Sequence, residues 1–291
     1  MSNFLPNDRK ISHSQNFLKN PEFVKSLIHQ TDINNGDLVV EIGPGKGIIT
    51  GFLKDVAANV IGIEVDKQLF DNLKSKFNGF PSVNIINTDF LQWNLPLSPY
   101  KVFSNIPFNM TTDIVTKLLN SRNSPVISYL IMQDKAAERF LGDPYGKNTQ
   151  MSILVNPYYE TSIVTKINRN QFSPVPNIDA VLVRFQKRNN PLVKPEHSQL
   201  FRDFVVYGYN QWKPTVLESF EKIFSPKQRS ILQSTLHIQR AKPSDLNLEQ
   251  WLALFDSFNK YTDESKKKIV SGAENKLKIQ QSKLQKLHRT R

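Results

Sequence analysis

Cysteine is absent from this 291-residue chain, which excludes disulfides, thiolate nucleophiles and cysteine-ligated zinc or iron–sulfur centres. Long apolar runs are also absent: none approaches the ~18 to 20 residues needed to cross a bilayer. The opening MSNFLPNDRK lacks the apolar core of a signal peptide, so a cytoplasmic protein is expected. The histidines, at 13, 29, 197, 237 and 288, show no close metal-ligand spacing, and no metal is expected. Two phosphate-binding signatures fail as well. The dinucleotide fingerprint G-x-G-x-x-G would need glycine where Ile48 stands, and the phosphate loop G-x-x-x-x-G-K-[ST] is broken because Gly47 follows Lys46.

What is present is an apolar fraction of 39%, compatible with a buried core, and a length that accommodates one α/β domain of roughly 180 to 200 residues plus a smaller appendage. The formal net charge is +12 and is unevenly placed, since residues 262–291 hold nine Lys/Arg against three Asp/Glu. A polyanion is the natural partner of such a chain, which in the cytoplasm means nucleic acid.

Hydrophobic patterning divides the chain. Asn20 and Pro21 suit a helix start, and Phe23, Val24, Leu27 and Ile28 follow at helical spacing. Residues 38–42 read as a buried strand running into Gly43-Pro44-Gly45-Lys46-Gly47, after which Ile48, Ile49, Phe52 and Leu53 return to helical spacing. Further strands are predicted at 60–63, ending on Glu64; at 83–86, leading to Asp89; and at 101–104, leading to Asn105. A fifth follows at 127–132 with a helix through 134–141, and 161–167 and 180–185 close the set around the Pro-rich Phe172-Ser173-Pro174-Val175-Pro176. This alternation predicts a Rossmann-like α/β domain over residues 1–188, with a parallel sheet covered by helices. Helical patterns at 200–207, 216–223, 227–236 and 248–258 predict a small all-helical domain over 189–261, and the Lys-, Gln- and Ser-rich 262–291 reads as a flexible basic tail.

In open parallel sheets ligands bind beyond the carboxyl ends of the strands, where Gly43, Glu64, Asp89 and Asn105 all fall. Gly43 and Gly45 permit close backbone approach, and Glu64 has the position to accept from two ribose hydroxyls. Each residue alone is explained by ordinary turn chemistry; the ordered set points to a nucleoside cofactor. With both phosphate signatures broken, S-adenosylmethionine fits better than NAD or ATP, and Asp89 is placed to accept from its adenine amine. Asn105-Ile106-Pro107-Phe108 then suggests the acceptor chemistry of an amine methyltransferase. The Asn105 side-chain oxygen and the Ile106 carbonyl, held by the Pro107 turn, can take the two N–H groups of an adenine amine, and Phe108 can stack on the base. No ionisable base is needed, because the methylated ammonium loses its proton to water.

Through Ser14-Gln15-Asn16-Phe17-Leu18, Glu41-Ile42-Gly43-Pro44-Gly45, Glu64-Val65-Asp66, Asp89, Asn105-Ile106-Pro107-Phe108 and the 172–176 motif, the chain resembles the ribosomal RNA adenine dimethyltransferases over about residues 10 to 260. The resemblance implies that Asn16 and Leu18 close over the cofactor with Gly43, Glu64, Asp89 and Asn105, and that Asn105, Ile106 and Phe108 serve catalysis. Two branches compete. The Erm branch dimethylates one adenine of 23S rRNA and confers macrolide, lincosamide and streptogramin B resistance; the housekeeping KsgA branch dimethylates two adjacent adenines of small-subunit rRNA. Ser104, Ile106, Phe108 and the stretch from Tyr207 to Pro214 look like the Erm branch, whereas the KsgA branch usually carries N-L-P-Y. The expected partner is rRNA, 23S favoured, bound by a monomer with phosphate grip from Lys213, Lys222, Lys227, Arg229, Arg240, Lys242 and Lys266 to Lys268. A noncatalytic RNA-binding assembly factor on the same scaffold is the alternative of a different class.

Overall fold

The computed structural model describes residues 16–289, with side chains through residue 283; Ser14, Gln15, His13 and the opening decapeptide lie outside the described residues. The chain forms β1 (Phe17–Leu18), α1 (Pro21–His29), β2 (Leu38–Ile42), α2 (Ile48–Val56), β3 (Asn59–Glu64), α3 (Lys67–Lys76), β4 (Val83–Asn87), β5 (Lys101–Asn105), α4 (Thr111–Asn120), β6 (Ile127–Gln133) and α5 (Asp134–Leu141). There follow α6 (Gln150–Val155), β7 (Tyr159–Ile167), β8 (Phe172–Ser173), β9 (Ala180–Lys187), α7 (Ser198–Tyr209), α8 (Val216–Ser219), α9 (Pro226–Thr235), α10 (Leu248–Tyr261), α11 (Glu264–Val270) and α12 (Ala273–Arg289). The described residues form two compact units, one within 16–137 and 160–187, the other within 138–159 and 188–289.

The first unit is built on a seven-stranded sheet in the order β4-β3-β2-β5-β6-β9-β7. The five strands from β4 to β6 are parallel, and β9 runs antiparallel to β6. This is the Rossmann-like methyltransferase arrangement that the strand alternation predicts. β2 reads as a nearly unbroken apolar run because both its faces are covered: Val39, Val40 and Ile42 are all buried. From β2 the chain steps outward through β3 and β4, then returns to place β5 on the other side of β2, so the strand order reverses between the parallel β2 and β5. That switch point opens a crevice at the strand ends.

Local chemistry sets the element starts. Asn20 accepts from the Phe23 N–H at 3.2 Å to cap α1, which turns Val24, Leu27 and Ile28 into the core. Asp66 does the same for α3, accepting from the Leu69 N–H at 2.9 Å. Sequence patterning does not reveal a two-stranded ribbon in which β1 pairs antiparallel with β8, Phe17 opposite Ser173 and Leu18 opposite Phe172. Strands of this length are too short to show a period of two.

The second unit packs around aromatic side chains. Phe204 of α7 stacks on Phe220 at 4.4 Å between ring centroids and on Phe258 at 4.8 Å, and Tyr209 stacks on Trp251 at 5.2 Å. Gly208 makes this fit possible, since a Cβ there would lie 2.7 Å from the Phe220 ring and 2.8 Å from that of Trp251.

The expected domain division differs from the structure in two respects. Residues 138–159, placed by sequence in the α/β domain, group with the helical unit because Ile153 and Leu154 of α6 are buried in its aromatic core and Asn148 donates to the Leu246 carbonyl at 3.0 Å. The supposedly flexible tail contains α11 and α12, with Val270 fully buried. Its docking relies on a buried ion pair and a carboxylate cap, neither of which produces an apolar stripe.

Candidate active site

The crevice over β2 and β5 gathers the chemistry, all of it within the first unit. After β2 the backbone enters the left-handed region at Gly43 (φ 66°) and again at Gly45 (φ 59°), conformations that a side chain disfavours by about 1–2 kcal/mol. The surroundings of the two differ. A Cβ on Gly43 would meet nothing within 4 Å, so this position faces open space, whereas a Cβ on Gly45 would lie 2.4 Å from the Phe17 ring. The loop is tied to the neighbouring strand twice: the Gly43 N–H donates to the Ile63 carbonyl at 2.9 Å, and the Gly45 N–H donates to Glu64 Oε2 at 3.0 Å.

Glu64, at the end of β3, is buried and also accepts from the Asp66 N–H at 3.0 Å through Oε1. Burial raises its pKa, and the bonds from Asp66 and Gly45 oppose that rise. Two oxygens offer four lone pairs, more than the backbone amides of Gly45, Val65 and Asp66 occupy, so acceptor capacity remains. Beside it lies Glu41, which belongs to the Glu41–Gly45 motif but to which the sequence assigns no role of its own. It is buried, accepts from Thr50 Oγ1 at 2.6 Å, and is pushed up to about 8, chiefly by burial, with the Thr50 bond opposing and the Glu64 charge adding. Glu41 is therefore largely a neutral acid at pH 7. Its only advance signal was a carboxylate inside an otherwise apolar strand.

Asp89 follows β4 and accepts from the Leu91 N–H at 2.8 Å, capping the turn to Trp93. Lys117 of α4 braces the same turn by donating to the Phe90 carbonyl at 2.6 Å and to that of Trp93. Burial lowers the Lys117 pKa, against the attraction of Asp89. Lys117 too went unnoticed in the sequence, because its partners are main-chain carbonyls from a distant loop.

Asn105 ends β5. Its Nδ2 donates to the Asn16 carbonyl at 2.7 Å, whereas its Oδ1 is buried without a hydrogen-bond partner among the described residues. The amide orientation is dictated by chemistry, since only the NH2 can serve a carbonyl. An unpaired buried carbonyl oxygen costs free energy until a donor arrives. The strand end is set firmly: Ser104 Oγ donates to the Ile42 carbonyl at 2.6 Å, and the Ile106 N–H donates to the Ile131 carbonyl at 3.2 Å. Pro107 turns the chain, its carbonyl accepting from the Met110 N–H at 2.9 Å. Phe108 packs edge-to-face on Phe172, with centroids 6.0 Å apart.

Asn16, Phe17, Gly43, Asn105, Ile106, Pro107 and Phe108 line one pocket. Of the predicted residues, Asn16, Gly43, Asn105, Ile106 and Phe108 are thus brought together. Leu18 is buried in the core, Glu64 is held to Gly45 of the glycine loop, and Asp89 stands at its own turn; these three do not line that pocket. The β1–β8 ribbon ties the segment following Asn16 to Phe172 and Ser173 of the 172–176 motif. The residues suit a nucleoside cofactor and an amine: an open glycine face, a buried carboxylate with spare acceptor capacity, and an acceptor lacking its donor.

Comparison with known proteins agrees. The family profile described as "Ribosomal RNA adenine dimethylase" matches residues 7–260. The chain is 27% identical over 248 residues to the rRNA adenine N-6-methyltransferase of Bacillus licheniformis, covering 85% of this chain and 86% of that protein. It is 32% identical over 232 residues to the ribosomal RNA small subunit methyltransferase A of Moorella thermoacetica, covering 75% of this chain and 81% of that one. Among solved structures, the 23S rRNA methyltransferase ErmE superposes with a TM-score of 0.76 at 25% identity, covering 84% of this chain and all of that one.

Proposed function

The chain belongs to the ribosomal RNA adenine dimethylase family, an S-adenosylmethionine-dependent group, and on that basis we propose that it dimethylates the N6 amine of an adenine in 23S rRNA and so confers macrolide, lincosamide and streptogramin B resistance. The observation that carries the amine chemistry is Asn105 Oδ1, a buried acceptor on a pocket-lining residue with no hydrogen-bond partner among the described residues.

An adenine amine is a weak nucleophile because its lone pair is delocalised into the ring. Asn105 Oδ1 accepts one N–H and the Ile106 carbonyl the other, which draws the nitrogen toward a pyramidal shape with its lone pair free. Both bonds strengthen as the nitrogen gains positive charge, so they favour the transition state over the ground state. Phe108 holds the extruded base by stacking, worth roughly 1 to 3 kcal/mol. Bound S-adenosylmethionine would supply an electrophilic methyl group at its sulfonium, with a neutral thioether as the leaving group. The ammonium then releases a proton to water. Asn16, Leu18, Gly43, Glu64, Asp89 and Asn105 would hold the methyl donor, Glu64 through the ribose hydroxyls and Leu18 through its backbone, since its side chain is in the core.

The 23S assignment is supported by Ile106 and Phe108 and by the match to the whole of ErmE. A small-subunit target is the second reading, favoured by the Moorella similarity. The enzyme acts as a cytoplasmic monomer on both readings. Methyl transfer from labelled S-adenosylmethionine to separate 23S and 16S transcripts, with the base mapped by primer extension, separates them: label on 16S alone refutes the 23S assignment. Absence of heat on titration with S-adenosylmethionine would leave the noncatalytic scaffold.

A further inference from the structure

The family profile ends at residue 260, yet the chain continues into α11 and α12. α12 is anchored firmly at its start. Glu274, buried, accepts from Arg202 Nε at 3.0 Å and from Arg202 Nη2 at 2.7 Å, and also from Gln199 at 3.2 Å and Lys278 at 3.0 Å. Asp203, itself buried, accepts from the backbone N–H groups of Gly272 and Glu274, each at 2.9 Å. Ala273 and Leu277 pack against the aromatic core.

Packing then stops. Every side chain from Lys278 to Lys283 is exposed, while the helix runs on to Arg289, about 18 Å further at 1.5 Å per residue. A helix of this length is marginal in water by itself, so its position depends on the anchor. Beyond Glu274 the sequence contains no acid, and Lys276, Lys278, Lys283, Lys286 and Arg289 follow. Lys278 is engaged by Glu274; at about 100° per residue the other four positions fall within an arc of roughly 140°, on the side opposite Ala273, Glu274 and Leu277. The docked face points at α7, and the cationic positions face away from it.

We propose that α12 is a rigid basic arm that grips the phosphate backbone of the rRNA substrate, held in register by the Arg202–Glu274 pair. This rests on the RNA-substrate reading and deepens it. A membrane surface fits less well, since the cationic arc holds a single exposed apolar side chain among the described residues, Ile279, where a bilayer needs a broad apolar face.

The discriminating variant is Glu274→Gln, which retains every cation and removes a negative charge. Were the tail merely a flexible source of charge, this full-length variant would bind rRNA as tightly as wild type or more so. The arm predicts weaker binding, by about 3- to 10-fold in Kd, with the calorimetric affinity for S-adenosylmethionine unchanged. The second variant ends after Leu277 and keeps the anchor. Its slope of log affinity against log salt becomes shallower by about 2 to 4, in proportion to the number of phosphates the arm no longer neutralises. Wild-type affinity and slope in the truncated protein would overturn the proposal, as would equal or tighter binding by Glu274→Gln. So would loss of binding to phosphatidylglycerol vesicles on truncation with RNA affinity intact. Should Glu274→Gln fail to fold, the salt slope of the truncated protein decides. The functional reading is judged separately, by whether wild type methylates rRNA at all.

Discussion

Replacing Asn105 by alanine removes two hydrogen bonds with different consequences, and this separation makes the variant informative. Oδ1 meets no donor within the described residues, so its loss leaves the fold at the strand end untouched and deprives the incoming amine of an acceptor. One oriented group of this kind, acting on charge that develops in the transition state, is worth about 10²- to 10³-fold in turnover, or roughly 2.7 to 4 kcal/mol. Nδ2 donates to the Asn16 carbonyl at 2.7 Å, and its loss frees the segment that walls the pocket. That bond is neutral and partly buried, with a net value of about 0.5 to 1.5 kcal/mol, which amounts to roughly a tenfold weakening of cofactor binding at most. The expected result is a single-turnover rate reduced at least a hundredfold at saturating S-adenosylmethionine and RNA, with cofactor binding still measurable by calorimetry. Rapid-quench transfer of labelled methyl under saturation isolates the first effect from the second. A rate within about threefold of wild type would refute the acceptor mechanism.

Gly43→Ala should cost about 1–2 kcal/mol in chemical denaturation, from φ alone, and weaken cofactor binding by more than that, because the added methyl projects into the open face; equal losses in both measurements would contradict the assignment of that face. Glu41 binds its proton more tightly folded than unfolded, with a folded value of about 8 against an ordinary 4.5, so its contribution is fully present below about pH 4.5 and is lost as pH rises toward 8. Glu41→Gln removes that slope: thermal melts between pH 5 and 9 should show the variant gaining on wild type as pH rises, and parallel curves would argue against a buried neutral acid. Gly208→Ala should lower stability by about 1–3 kcal/mol through overpacking against Phe220 and Trp251, with titration by S-adenosylmethionine unchanged.

Strand alternation, the glycine loop and the residues at strand ends were legible because each depends on local rules: period, turn chemistry, and the position of a ligand relative to a parallel strand. Val39, Val40 and Ile42 read as a buried strand for the same reason that they are one. Asn16 was reachable only by resemblance, since its part in the site is a main-chain carbonyl facing Asn105 across 89 positions of sequence. The roles of Glu41 and Lys117 are not legible in the sequence because they come from burial and from distant carbonyls rather than from their neighbours in the chain.

By itself, the sequence determined the class of chemistry: no thiol, neither phosphate signature, and an Asn-Ile-Pro-Phe turn that offers acceptors and a ring where a base would sit. Tertiary structure alone decided which acceptor is available, leaving Asn105 Oδ1 unpaired while its amide nitrogen is held by Asn16. It also grouped 138–159 with the helical unit and turned the expected flexible tail into a docked helix. The physical reason is common to these cases. Burial and long-range hydrogen bonds assign partners, and an ion pair such as Arg202 with Glu274 leaves no periodic trace in the chain that encodes it.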